Sequence, residues 1–236
     1  MKLAYITREF PFAYLGETFL GPEARLLRAY CDEVHVIAAR PRLRTSAFGN
    51  IGTVDVRIAS FSLRTLVCAA AEAVQHPFSA ALAFRRLVGP SYAGAAKMKN
   101  IALFPKSLAV ARYLREEQID HIHAHWMTTP TTIAYVASMM TGIPWSCTAH
   151  AHDIFADNLL PEKAASARLV RVISDSNCRR LNELTGNRYT SRTHVVHIGV
   201  ELPESLCTPS EDKTLRILSP ARLHPIKGHA ELLEGL

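Results

Sequence analysis

A chain of 236 residues that is 48% apolar has enough hydrophobic material for a large packed core, which excludes intrinsic disorder. Its 27 Lys and Arg against 21 Asp and Glu leave a net charge of +6, a moderate and dispersed excess that suits an anionic small molecule or an anionic membrane surface; no nucleic-acid-binding motif accompanies it. Five cysteines, at 31, 68, 147, 178 and 207, are odd in number and form no Cys-x-x-Cys pair, so neither a disulfide framework nor a zinc knuckle is expected and a reducing cytoplasm fits.

The first residues, "MKLAYITREF", contain no apolar stretch of signal-peptide length, and Glu72 interrupts "TLVCAAAEAV" well short of a membrane span. Short β-rich apolar runs predict strands at 2–7, 33–39, 54–59, 121–126, 144–150, 169–174, 193–198 and 215–220. Helical patterns fall between them at about 18–30, 62–75, 79–89, 95–118, 128–141, 160–168 and 175–185. Such alternation predicts an α/β fold, a Rossmann-like parallel sheet with helices on both faces, and places ligands where strands end and helices begin. The polar stretch "LPESLCTPSEDK", 202–213, reads as a linker between a first domain, 1–201, and a segment, 214–236, that opens a second. That segment is below the ~40 residues a domain generally needs to bury its own leucines.

The first strand end, "TREFPFAYLGETFLGPEARLL", has Gly16 where the backbone can approach a ligand closely and Thr18 where it can cap the next helix, whose amides would favour an anion; an ordinary strand-to-helix loop is the alternative. Glu17 would suit that place if it faces a sugar hydroxyl. The window 121–153 holds five of the eleven histidines, in "DHIHAHW" and "TAHAHDIF". His121, His123 and His125 share one face of a strand, and His150 and His152 would share one if their strand ran on. Metal ligation is one reading; packed, hydrogen-bonded histidines are the commoner outcome, because no carboxylate or cysteine cluster completes a ligand set. His150, at the end of a central strand, could instead meet a substrate hydroxyl or a developing charge. Asp153 could bind a sugar hydroxyl or cap the short helix "DIFADN".

In "RVISDSNCRRL", Asp175 or Ser176 is expected to cap a helix whose Arg179 and Arg180 are solvated. Residues 83–112, with Arg85, Arg86, Lys97, Lys99, Lys106 and Arg112 among apolar side chains, form either solvated helix faces or basic amphipathic helices that rest on an anionic membrane. At 216–236, "RILSPARLHPIKGHAELLEGL", Arg222 and Lys227 flank a turn before a helix beginning at Gly228, an arrangement able to grip a diphosphate.

Taken in order, these pieces resemble the retaining glycosyltransferases of family 4, which have the GT-B fold, and within them the exopolysaccharide and colanic-acid branch. "FPFAYLGETFL" is similar to the Phe-Pro-x-x-Ser-Glu-Thr-Phe loop with Gly16 at the serine position. "HIHAHWMTTPTTIAYVASMMTGIPWSCTAHAHDIF" resembles the acceptor-side segment. "VISDSNCRRL" and "VVHIGVE" resemble the Val-Ser-x-x-Asn and Asn-Gly-Val elements, His197-Ile198 replacing the asparagine context. "SPARLHPIKGH" resembles the Gly-Arg-Leu-x-x-x-Lys-Gly start of the donor domain, with Ala221 for glycine.

The resemblance implies transfer of a hexose from a nucleotide-diphosphate sugar, the co-substrate, to a lipid-linked or polysaccharide acceptor, with no metal or other cofactor because cationic side chains neutralise the leaving group. His150 would be the catalytic contact to the transferred sugar, Gly16, Arg222 and Lys227 the donor-phosphate ligands, and Glu17, His125 and Asp153 acceptor-side residues. The cytoplasm is the expected location, with peripheral contact at the cytoplasmic face of the membrane. The family's donor domain runs for well over a hundred residues past the Lys-Gly element, so the 236-residue chain alone is expected to have little transferase activity; a non-catalytic acceptor- or partner-binding module of a split enzyme, and more remotely a metal-dependent hydrolase, are the alternatives.

Overall fold

A computed structural model describes residues 1–14, 17–89, 94–199, 216–221 and 223–235 of the chain. These divide into two compact units, Met1–Ile198 and Gly199–Leu236. The expected linker, 202–213, falls outside the described residues, as do Gly16 and Arg222.

The first unit is an α/β layer structure. Its strands are β1 (Lys2–Thr7), β2 (Glu33–Ala38), β3 (Val54–Val56), β4 (His121–His125), β5 (Trp145–Ala149), β6 (Leu169–Val172) and β7 (Thr193–Val195). All pair in parallel, in the order β3-β2-β1-β4-β5-β6-β7. The chain builds outward from β1 to β3, then returns to add β4 on the other side of β1, so the order reverses between β1 and β4. In open parallel sheets the crevice for a ligand lies at such a reversal, beyond the strand carboxyl ends. Strand edges fall short of the apolar runs where pairing stops: β7 pairs only over Thr193–Val195, opposite Val170–Val172, so the apolar Val196 and Ile198 lie past the ladder.

The helices of the first unit are α1 (Leu20–Tyr30), α2 (Leu63–Gln75), α3 (Pro77–Val88), α4 (Ala95–Glu116), α5 (Thr129–Thr141), α6 (Ala151–Phe155), α7 (Leu160–Ser166) and α8 (Asp175–Leu184). Local chemistry sets several of their ends. Ser62 caps α2 by accepting from the Thr65 N–H (3.2 Å), and Ser174, one residue before the expected pair, caps α8 by accepting from Asn177 N–H (3.3 Å). Helix α5 opens with Pro130 and stops at Gly142, whose φ of 77° only glycine adopts without strain. The expected cap at Thr18 is not formed: α1 begins at Leu20 after Phe19, and Thr18 and Glu17 instead offer carbonyls to Gly21 and Leu20.

The two faces of the sheet differ chemically. On one, Ala4, Ile6, Ile37, Ile122, Ala124, Cys147 and Val170 form the main core with α4, α5 and α7. On the other, Leu3, Tyr5, Val34 and Val36 pack beneath Leu20 and Ala24 of α1. Alternation then carries His121, His123 and His125 of β4, Ser146 and Thr148 of β5, and Arg171 of β6 onto the same face as Tyr5. A parallel strand buried on both faces is normally apolar throughout. Strands β4 to β6 depart from that rule on the α1 face, and the departure marks where to look for chemistry.

In the second unit, α9 (His229–Glu234) follows a 3-10 turn at Pro225–Lys227 and Gly228, whose φ is 69°. The strand expected at 215–220 is not formed over its described residues, 216–220. Their side chains are exposed, including Ile217 and Leu218, so burial does not hold them extended.

Candidate functional site

The polar face converges at the carboxyl ends of β1, β4 and β5. His125 is the last residue of β4, and His150 follows the end of β5 and precedes α6. Their Nε2 atoms are 2.8 Å apart. The Nδ1 atom of His125 lies 3.1 Å from the Tyr5 hydroxyl on β1, and that hydroxyl donates to Glu23 Oε1 of α1, also at 3.1 Å. Arg171 Nη1 closes the far end on Glu23 Oε2 (3.2 Å), while its Nε and Nη2 donate to the carbonyls of Val196 and His197. One continuous chain therefore runs Arg171, Glu23, Tyr5, His125, His150, drawn from β6, α1, β1, β4 and the end of β5.

The donor inventory fixes the protons along it. A carboxylate paired with Arg171 only accepts, so the single Tyr5 proton points to Glu23 and the Tyr5 oxygen must accept from His125 Nδ1–H. Burial and the neighbouring His150 hold the His125 pKa down to about 2, and burial with Arg171 holds that of His150 down to about 4. Both rings are neutral near pH 7. A neutral His125 protonated on Nδ1 has a bare Nε2, which accepts from His150 Nε2–H; His150 then carries its lone pair on Nδ1. Burial above all, with Glu23 beside it, raises the Tyr5 pKa far above its ordinary value, so the phenol keeps its proton.

Trp126 completes the surroundings. Its indole stacks on His150, with ring centroids 4.3 Å apart and planes 28° apart, and its Nε1 donates to Glu17. The Trp126 backbone has a φ of 79°, uncommon for a bulky residue, and its N–H bonds to Thr148 O (3.0 Å). Phe19 lies edge-on to His125 and Trp126. The site thus presents a neutral imidazole, backed by an indole, one strand from the sheet's reversal point.

Glu17 is buried, and it accepts from the backbone N–H groups of Arg8 (3.2 Å), Glu9 (2.6 Å) and Phe10 (2.7 Å) as well as from Trp126, so it organises the first loop. Asp153 is 1% exposed, and one carboxylate oxygen accepts from both His150 N–H and Met127 N–H at 3.0 Å. Burial raises its pKa while those two amides oppose the rise. His152 lies within α6, so the strand phase that would have paired it with His150 does not extend to it: β5 ends at Ala149. Lys227 is exposed at the end of its 3-10 turn, in the second unit.

For a cation, Glu23, His123 and His125 offer ligand atoms within 4.8 Å of one another. Those nitrogens are already engaged: His123 meets Ser146 (2.8 Å) and Thr148 (3.0 Å), and His125 meets Tyr5 and His150. A metal bound there would have to displace that network. Sequence patterns alone do not point to Tyr5, Glu23, Trp126 and Arg171. Arg171 leaves only a hint, a lone guanidinium in the apolar run "LVRVIS"; Trp126 leaves another, a large aromatic at a strand end in a histidine-rich segment.

Comparison with known proteins adds one finding. A family model described as Glycosyltransferase Family 4 matches residues 23–203, most of the chain and nearly all of the first unit. No curated protein matches.

Proposed function

The chain belongs to glycosyltransferase family 4, and on that premise we propose that it carries the acceptor-side domain of a retaining hexosyltransferase of the exopolysaccharide and cell-envelope type. The observation that carries this reading is the neutral His150 at the end of β5, beside the reversal of strand order, where a parallel sheet binds its ligand. In the proposed reaction the bond from the anomeric carbon to the nucleoside-diphosphate oxygen breaks and a bond to an acceptor hydroxyl oxygen forms. The hydroxyl proton leaves with the diphosphate. His150 contacts the sugar being transferred. His125 holds that ring, while Asp153 and Glu17 hold the backbone and the indole around it, so these three act as positioning residues. Gly16, Arg222 and Lys227 are proposed to grip the donor diphosphate, the two cations taking the part a metal plays elsewhere. The acceptor is a lipid-linked saccharide or a growing polysaccharide, and free cysteines among the described residues support a reducing, cytoplasmic setting.

Transfer of labelled hexose from UDP- and GDP-sugars to extracted membrane lipids, by the protein as its gene encodes it, tests the reading. His150→Ala is expected to keep its circular dichroism and lose on the order of 10²-fold or more in kcat, with a smaller change in KM. Full activity in that variant would remove His150 from the site. Absence of nucleoside-diphosphate release with every UDP- and GDP-hexose would remove the transferase reading.

A further inference from the structure

Helix α2 buries Thr65, Ala69 and Glu72 and turns the opposite stripe outward. That stripe is Leu63, Leu66, Val67, Ala70 and Val74, spaced i, i+3, i+4, i+7 and i+11 along one helix face. Leu63 and Val74 are each 79% exposed and Val67 is 59% exposed. A helix on the outside of a globular unit normally presents charges there. Helix α3 repeats the inversion: Ala80, Ala83 and Leu87 are buried, while Phe78, 90% exposed, and Leu82 face out. Both helices rest on α4 and touch each other, with only His76 between them in the chain, so their outward stripes are neighbours. Phe61, just before α2, is exposed as well. Contiguous exposed apolar surface of this kind marks an interaction site.

The charge of the same segment says what covers it. Residues 57–115 hold nine Lys and Arg and a single acid, Glu72, which is buried and ion-paired to Arg115 at 2.7 Å. No Asp or Glu occurs between Glu72 and Glu116. The rest of the chain then holds 18 basic against 20 acidic residues, so the net charge of +6 arises wholly in this segment and is not dispersed as composition suggested. Arg64, Arg85 and Arg86 are exposed on α2 and α3, beside the apolar stripe.

We infer that the α2–α3 face docks on an anionic lipid surface. Apolar side chains between arginines match the boundary of a bilayer, where Leu, Val and Phe reach the acyl region and guanidinium groups meet phosphates. A second copy of the chain fits less well. A two-fold contact through this face would gather Arg64, Arg85 and Arg86 of both copies into one interface, with no exposed acid of residues 57–115 to offset them. Among the described residues no helix is long and apolar enough to cross a membrane, so the contact is superficial. The inference stands whether or not the chain transfers sugar. If it does, docking would hold the site near a lipid-linked acceptor.

Co-sedimentation with vesicles of phosphatidylcholine, alone or mixed with phosphatidylglycerol, reads the contact directly. Binding is expected to the mixed vesicles only, falling roughly tenfold or more between about 0.05 M and about 0.5 M salt as charges are screened. Leu63→Glu with Phe78→Glu, at positions exposed enough to leave the fold intact, is expected to abolish it. Arg85→Glu with Arg86→Glu should weaken it at least tenfold. No sedimentation with either vesicle, or binding unchanged in both variants, would overturn the inference. So would a concentration-dependent dimer in gel filtration that the Leu63 and Phe78 substitutions convert to monomer, which would give the face to a second copy. Transfer to a soluble acceptor analogue, unaffected by these substitutions, keeps this outcome separate from the fate of the transferase reading.

Discussion

At the residue scale, the site is a proton arrangement as much as a set of positions. The Tyr5 hydroxyl has one proton, and giving it to Glu23 forces His125 to carry its proton on Nδ1 and His150 on Nε2. Nitrogen-15 NMR of labelled histidine reads this directly: two neutral rings of opposite tautomer are expected near pH 7, and a His150 protonated on Nδ1 would contradict the chain. Tyr5→Phe deletes the central link. It leaves a buried Nδ1–H of His125 without its acceptor, at a cost of about 1–3 kcal/mol in denaturant unfolding, and releases the tautomer preference of both rings. A purely structural role for Tyr5 would lower stability and leave the His150 tautomer where it was.

At the element scale, the short helix α6 is placed by one carboxylate. Asp153 Oδ2 collects the His150 N–H at the start of α6 and the Met127 N–H just past β4, tying two strand ends together. Asp153→Ala would leave two buried amides unpaired and is expected to cost about 2–4 kcal/mol, measured by urea unfolding, whereas Asp153→Asn retains an acceptor and should recover part of it. On the proposed transferase reading, activity in Asp153→Ala should fall with the position of His150, and restoration by Asn would mark the role as positioning. The sequence made some of this plain and hid the rest for physical reasons. Alternating apolar runs and helical periods gave the sheet and its helices because those periods differ, and His121, His123 and His125 share a face because strand phase is local. The partnership of His125 with His150 depends on the register of β4 against β5, which a crossover through α5 sets and no spacing encodes. Tyr5, Glu23 and Arg171 come from three separate elements, so their meeting is a property of strand order. Trp126 escaped notice because a left-handed backbone is the last conformation a bulky residue suggests. The Thr18 cap failed at a boundary, the least legible feature of any helix.

At the scale of the whole molecule, buried groups held in their neutral forms make stability depend on pH in a definite direction. The folded pKa values of His123, His125 and His150 are pressed down to about 3, about 2 and about 4, mainly by burial, and that of His121 is lowered too. The unfolded chain therefore binds more protons than the folded one at every pH between those values and the ordinary histidine range, and stability rises with pH through that window. From His150 alone the contribution lost on full acidification is on the order of 3 kcal/mol. Asp153, with its pKa raised by burial, works the other way and offsets part of the loss. Above neutrality two buried lysines take over. Lys106 donates to the carbonyls of Ala38 and Ala39, Lys163 to that of Thr128, and burial brings both down to about 7. Unfolded lysines hold their protons to far higher pH, so the same sign continues through the mildly alkaline range. It reverses only where Cys147, pushed up to about 12 by burial, and the phenols of Tyr5 and Tyr113 stay neutral while their unfolded counterparts ionise. Thermal unfolding is thus expected to show its midpoint climbing from about pH 5 to about pH 9.5 and declining above it, where the unfolded phenols join the thiol in ionising. Lys163→Met, which keeps the stem and removes the titrating ammonium, should flatten the climb above neutrality and leave the histidine part of the acid limb in place; an unchanged alkaline limb in that variant would show that the buried ammonium is not its source.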